Sequence, residues 1–206
     1  MCWSAEADLV AGTVLTGLGV WCLARVQRWR DVPLGAVPLL LGAHQLTEAA
    51  VWSGTASPAA RVAWAVIALP LLPALVPLGV WLSAGPAAPG DPAQRRRAAL
   101  AVLGVAVAVP LAVAVAAHPV TAEIDGHTLR YGVGVPHAPL LLTCYLLVTV
   151  GALLLGGDRL LRVLGLLVGV GAVLCGLLWQ LAFVSTWCGV AALASVVLLR
   201  WVGLRR

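Results

Sequence analysis

The residue of this chain best placed to do chemistry is Glu48, in the stretch His44-Gln-Leu-Thr-Glu48-Ala-Ala-Val-Trp52. It falls about four residues inside one end of an apolar run, roughly 6 Å deep at helical rise. An ionisable group at that depth is costly in lipid and marks a functional site by default. His44 and Trp52 stand four residues before and after it and share its helix face, with Gln45 beside them. A carboxylic acid held in an apolar pocket can keep its proton and deliver it to a reactive double bond. Hydrogen bonding to a neighbouring helix, or snorkelling to the interface, would give Glu48 a structural role instead.

Further polar groups fall at the same end of the chain's apolar runs. Glu6 and Asp8 follow Ser4 near the start, where they are second carboxyls for the same site or simply complement a capped helix N-terminus. His118, His127 and His137 lie on one loop. Within it Asp125-Gly126 signals a hairpin near 121–131. With Ile124 opposite His127, one face carries Ala122, Ile124, His127, Leu129 and Tyr131 and the other Glu123, Thr128 and Arg130. The first face is apolar and should press onto the bundle, aiming His127 and Tyr131 at the site. Tyr145, Trp179, Gln180 and Trp187 complete the polar and aromatic set. Most of the nine tryptophans suit interfacial belts: Trp29, Trp81 and Trp201 at one boundary, and Trp3, Trp52, Trp64 and Trp187 at the other. Tryptophan is also the best face for a cation, so Trp3, Trp52, Trp179 and Trp187 are candidate walls for a positively charged intermediate. Of the five cysteines, Cys22 and Cys175 read as packing residues, while Cys2 and Cys188 are a disulfide candidate. No Cys/His spacing marks a zinc site.

The elements that carry these residues follow from composition. With 62% hydrophobic and 10% charged residues in 206, and mean hydropathy +1.01, the chain departs far from soluble domains, about a quarter of which is charged. It reads as one all-α transmembrane domain over 1–206. Apolar runs near 7–26, 33–52, 62–84, 98–118, 138–157, 163–183 and 187–204 predict seven spans. The stretch 85–97 reads as a turn-rich basic loop. Pro70, Pro73 and Pro77 predict a third span bent around an internal space, or merely kinked. Gly165, Gly169, Gly171 and Gly176 mark close packing. Every basic residue is arginine. Arg25, Arg28, Arg30, Arg95, Arg96, Arg97, Arg159, Arg162, Arg200, Arg205 and Arg206 fall on one side of a seven-span arrangement, and only Arg61 and Arg130 on the other. That split predicts a multi-pass protein of a bacterial cytoplasmic membrane, with the N-terminus outside and the C-terminus inside. The acidic start predicts no cleavable signal. The charge pattern has no nucleic-acid stripe.

The opening Met1-Cys2-Trp3-Ser4-Ala5, the stretch Pro38 to Trp52 with Gln45 and Glu48, and Trp187-Cys188 resemble a family of small bacterial membrane proteins without an assigned function. The resemblance covers the whole chain. Many relatives have Gln where His44 stands. In architecture alone the chain also resembles the small integral-membrane terpene cyclases, compact helical bundles that use intramembrane carboxyl groups.

Three functions suit these residues. A proton-initiated cyclase acting on a lipophilic prenylated substrate would use Glu48 as acid, with Glu6 or Asp8 as a second carboxyl. His44 or His127 would remove the last proton, Trp3, Gln45, Trp52, Tyr131, Tyr145, Trp179, Gln180 and Trp187 would line the site, and no cofactor or metal would be needed. A metal-dependent membrane hydrolase would draw ligands from His44, Glu48, His118, His127 and His137. A small transporter or sensor would use Glu48 to relay protons or bind a cation. The absence of lysine removes a retinal Schiff base.

Overall fold

A computed structural model describes residues 4–125, 128–178 and 183–205, leaving aside the side chains of residues 125, 128, 130 and 175–189. The chain is mostly helical, with one small two-stranded sheet among the described residues. Helix α1 (Ala5–Arg25) leads through a 3₁₀ turn at Trp29–Asp31 into α2 (Val32–Gly35) and α3 (Val37–Trp52). Helices α4 (Pro58–Val66) and α5 (Leu72–Ser83) join through a π-turn at Ile67–Leu71 into one rod. Then come α6 (Pro92–Ala117), strands β1 (Thr121–Asp125) and β2 (Thr128–Gly132), α7 (Ala138–Leu154), α8 (Arg159–Leu178) and α9 (Phe183–Leu204). Among the described residues three rods are long and apolar enough to cross a membrane: Ala5–Arg25, Pro58–Ser83 and Pro92–Ala117.

Local chemistry sets the helix ends. The Ser4 hydroxyl accepts from the Ala7 N–H at 3.2 Å, and Ser57 accepts from Ala60 at 3.2 Å ahead of Pro58 at the first helical position, both N-caps of the usual kind. The basic stretch is shorter than its composition implies. The Asp91 carboxylate accepts from the Ala93 N–H at 2.9 Å and Pro92 follows it, so α6 starts at Pro92 and takes Arg95, Arg96 and Arg97 into its first turns.

Pro70 and Pro77 lie inside the helical stretch of the α4–α5 rod. Pro70 sits inside the π-turn, which re-routes the hydrogen bonds that a proline breaks. Pro77 cannot donate to the carbonyl four residues before it, that of Pro73. That carbonyl lies where a Cβ on Gly104 of α6 would stand. Only a glycine lets α6 approach so closely, with its Cα–H directed at that oxygen.

Helices α1 and α3 pack antiparallel through three glycines. A Cβ on Gly12 would meet Leu46, one on Gly42 would meet the Thr16 backbone, and one on Gly19 would meet the Leu39 backbone. The three approaches share a single register, as a small-residue interface allows.

The main core gathers Cys22 of α1, Leu34 and Val37, Val76 and Val80 of α5, Ala152 and Leu153 of α7, Leu161 and Leu164 of α8, and Leu198, Trp201 and Val202 of α9. Trp201, expected at a lipid boundary, is fully buried there, with the Arg205 guanidinium 4.7 Å from its ring. Trp29 does face outward, beneath Arg30 at 5.4 Å.

Arg28, Arg97 and Arg205 gather at one end of the bundle. Arg205 donates to Asp31 at 2.8 Å and to the Ser83 carbonyl at 2.9 Å. Arg97 donates to the Leu155 carbonyl at 3.2 Å. Arg28 lies 3.9 Å from the same Asp31. These contacts tie the ends of α1, α5, α6, α7 and α9 together. The hairpin and the C-terminal turns of α3 occupy the opposite end.

Candidate functional site

At that opposite end the structure places three polar groups of the sequence reading in the protein interior. Glu48 is wholly buried on α3, Gln45 is 2% exposed one turn earlier, and Asp8 is 3% exposed on the inward stripe of α1 with Gly12, Leu15, Gly19 and Cys22. The glycine register between α1 and α3 puts Asp8 level with Ala50, about 3 Å along the axis from Glu48. Two buried carboxyls thus stand at one level of the bundle. Glu6 is exposed, where a negative charge favours the helix N-terminus.

His44 and Trp52, on the Glu48 side of α3, point their ring nitrogens inward. Trp52 Nε1 is buried without a hydrogen-bond partner among the described residues. The His44 imidazole stacks on the Trp64 indole of α4 at 4.9 Å between centroids, and Tyr131 of β2 stacks on the same indole at 3.5 Å and 10°. The three rings form a continuous stack from α3 through α4 to the hairpin. Trp64 was expected in an interfacial belt. It is instead 7% exposed, at the heart of a small cluster with Ala65, Val115, Val120 and Val133. The sequence carried one signal for this: Trp64 stands six residues past Pro58, about 9 Å inside its helix and beyond the depth of a boundary residue.

The hairpin forms with a different register from the expected one. Ile124 pairs with Leu129, Ala122 with Tyr131 and Asp125 with Thr128, so Ile124 does not oppose His127. The shift is two residues along the partner strand. Because side chains alternate with period two, Ala122, Ile124, Leu129 and Tyr131 still share one face. The packing of Leu129 and Tyr131 of β2 against the bundle favours this register over the Asp-Gly turn preference. The two strands meet the bundle unequally: Leu129 of β2 is 9% exposed and its cross-strand partner Ile124 of β1 is 55%.

Below the carboxyls lies an apolar cavity of about 70 Å³. Val37 and Leu41 of α3, Leu72 and Val76 of α5, Leu164 of α8 and Ala194 of α9 form walls, and Tyr145 and Thr149 of α7 are its polar members. The Thr149 hydroxyl is buried without a partner among the described residues. Val37, Leu41, Glu48 and Trp52 follow one another at helical spacing, so a single stripe of α3 runs from the cavity wall to the acid.

The other candidates are dispersed. His118 caps α6 with Nδ1 3.1 Å from the Ala114 carbonyl, and His137 holds a left-handed conformation, φ 48°, ahead of α7. Both are exposed, and no three His, Cys, Asp or Glu side chains converge among the described residues. Cys22 is buried and packs as expected. Cys2, Trp3, His127, Trp179 and Gln180 lie outside the described residues, as do the side chains of Cys175, Gly176, Trp187 and Cys188.

No curated protein and no solved structure matches this chain. Its whole length, residues 1–206, fits the model of one family, and the chain belongs to that family, described as a "Family of unknown function (DUF6629)".

Proposed function

We propose that the chain is a seven-span protein of a bacterial cytoplasmic membrane, N-terminus outside and arginine-bearing end inside, that protonates a lipophilic prenylated substrate and guides its cyclisation. The observation that carries this reading is the burial of Glu48 on the stripe of α3 that also lines the apolar cavity. The gathering of Arg28, Arg97 and Arg205 at the other end supports the orientation, because short cytoplasmic loops retain positive charge.

In this mechanism the Glu48 carboxyl proton forms a C–H bond with an alkene carbon of the substrate, drawing on the π electrons and leaving a carbocation. A second double bond of the same chain closes the ring by donating its electron pair. Trp52, four residues from Glu48 on the same side of α3, offers an aromatic face to the charge. His44, His127 or Asp8 then takes a proton from the carbon next to the cation, whose C–H electrons become the new double bond. The reaction is an isomerisation, and returning that proton to the Glu48 carboxylate restores the acid. An isoprenoid chain needs more room than 70 Å³, so its binding has to widen the cavity.

The test is product formation by membranes carrying the protein, offered farnesylated and geranylgeranylated acceptors. Wild type should yield cyclised products, and Glu48→Gln should lose them by about 100-fold or more, the usual contribution of a general acid. No product from any prenyl substrate, or equal product from both proteins, would overturn the proposal.

A second reading draws support from the carboxyls at one level, Asp8 and Glu48. Such a pair can relay protons across a bundle. Glu48-dependent acidification of vesicles without any organic product would favour it.

A further inference from the structure

The geometry points to a site for an anionic phospholipid at the arginine-bearing end, with the headgroup phosphate between Arg159 and Arg200 and the acyl chains along α8. An open cavity of about 600 Å³ lies there between the start of α8 and the end of α9, lined by Arg159, Arg200, Arg205, Trp201 and apolar Leu160, Val163 and Leu204. Three guanidinium groups thus face one space beside a lipid-accessible wall.

The local ion pairs leave two of the three available. Arg205 is committed to Asp31 at 2.8 Å and to the Ser83 carbonyl. Asp158, the acidic residue of the lining, accepts from the Leu160 N–H at 2.8 Å through Oδ1. Among the described residues no carboxylate lies within ion-pair range of Arg159 or Arg200. A phosphodiester supplies the missing negative charge, and the guanidinium fork matches its oxygens. Basic pockets between helix ends on the cytoplasmic side of a membrane take anionic headgroups in this way.

A free phosphate would satisfy the arginines, but the surface beyond them is that of an amphiphile. Val163, Leu166, Val170 and Val173 of α8 are all exposed and follow one another at three- and four-residue spacing, which places them on one face. That stripe begins in the cavity wall at Val163 and runs away from the arginines along the helix. Charge and apolar surface are therefore arranged head to tail. The site rests on the membrane-spanning part of the reading above and is independent of the chemistry at Glu48.

The experiment titrates detergent-purified protein with phosphatidylglycerol, phosphatidylcholine and inorganic phosphate, following lipid adducts by native mass spectrometry and the thermal midpoint. Wild type should bind phosphatidylglycerol in preference to phosphatidylcholine and gain thermal stability from it. The double variant Arg159→Ala/Arg200→Ala should lose about thirtyfold in affinity, roughly fivefold per arginine near a membrane surface. The variant Arg95→Ala/Arg96→Ala, altered at exposed residues outside the cavity, should bind as wild type does. Equal binding of both lipids, unchanged affinity in the Arg159/Arg200 variant, or the same stabilisation by inorganic phosphate alone would each overturn the site. Carbonate extraction of the same membranes shows whether the chain is integral, so failure of the spanning reading is told apart from failure of lipid selection.

Discussion

The Tyr131 ring lies 3.5 Å from the Trp64 ring at 10° between planes, and this contact joins the hairpin to the helical bundle. Stacked aromatic pairs contribute about 0.5–1.5 kcal/mol beyond the area they bury. Tyr131→Ala should therefore release the hairpin locally while the helices stay folded, and Tyr131→Phe should keep it docked. Hydrogen exchange over residues 121–132 is the measurement, with faster exchange expected in the alanine variant alone.

The α1–α3 interface predicts a contrast between two glycines of the same helix. A side chain on Gly19 would collide with the Leu39 backbone, whereas one on Gly17 would meet nothing within 4 Å. Gly19→Val should lower stability by about 1–3 kcal/mol or more, the range for overpacking. Gly17→Ala should be neutral or stabilising, by up to about 1 kcal/mol of helix propensity. Thermal unfolding in detergent reads both.

Asp31 is buried and accepts from Arg205, which also reaches the Ser83 carbonyl. Removing the carboxylate leaves a guanidinium short of its counter-ion at the junction of α2, α5 and α9. Because Arg205 retains a fifth of its exposure, the cost should fall below that of a fully buried pair, at about 2–3 kcal/mol. Asp31→Ala should show it as a lower thermal midpoint, and added salt should narrow the gap between variant and wild type only slightly.

Thr149 holds a hydroxyl against the apolar cavity with no described partner. Valine has the same shape without the polar atom, so Thr149→Val should raise the thermal midpoint of the substrate-free protein, by about 1 kcal/mol. A fall in the midpoint would mean that the hydroxyl has a hydrogen-bond partner, such as water, in the cavity.

Much of this fold can be read from the chain because its signals are local. Ser4, Pro58 and the Pro/Gly clusters mark helix boundaries through their own backbone chemistry, and Pro70 marks the π-turn. Where two local signals compete, the reading goes astray: Asp91-Pro92 starts α6 within what composition presents as a loop. The hairpin's register escapes for another reason. The Asp125-Gly126 preference is local, whereas the packing of Tyr131 on Trp64 that favours the observed pairing joins residues far apart in sequence. The same distance hides Trp64 from the candidate site. Glu48 is legible because a lone carboxyl in an apolar run stands out without knowledge of its neighbours, and its level relative to Asp8 is not, since that follows from how two helices meet.

The three glycine contacts between α1 and α3 give that level an unusual origin. Gly19 against Leu39 and Gly42 against Thr16 are approaches of main chain to main chain, so the height of Asp8 relative to Glu48 is fixed by polypeptide backbone rather than by side-chain fit. The exposed residues of α1, Leu9, Val10, Val14, Val20 and Trp21, are then free to vary with whatever surrounds the bundle. In a thinner or thicker membrane the two helices would tilt as one body, and the carboxyls would change depth together without changing their offset.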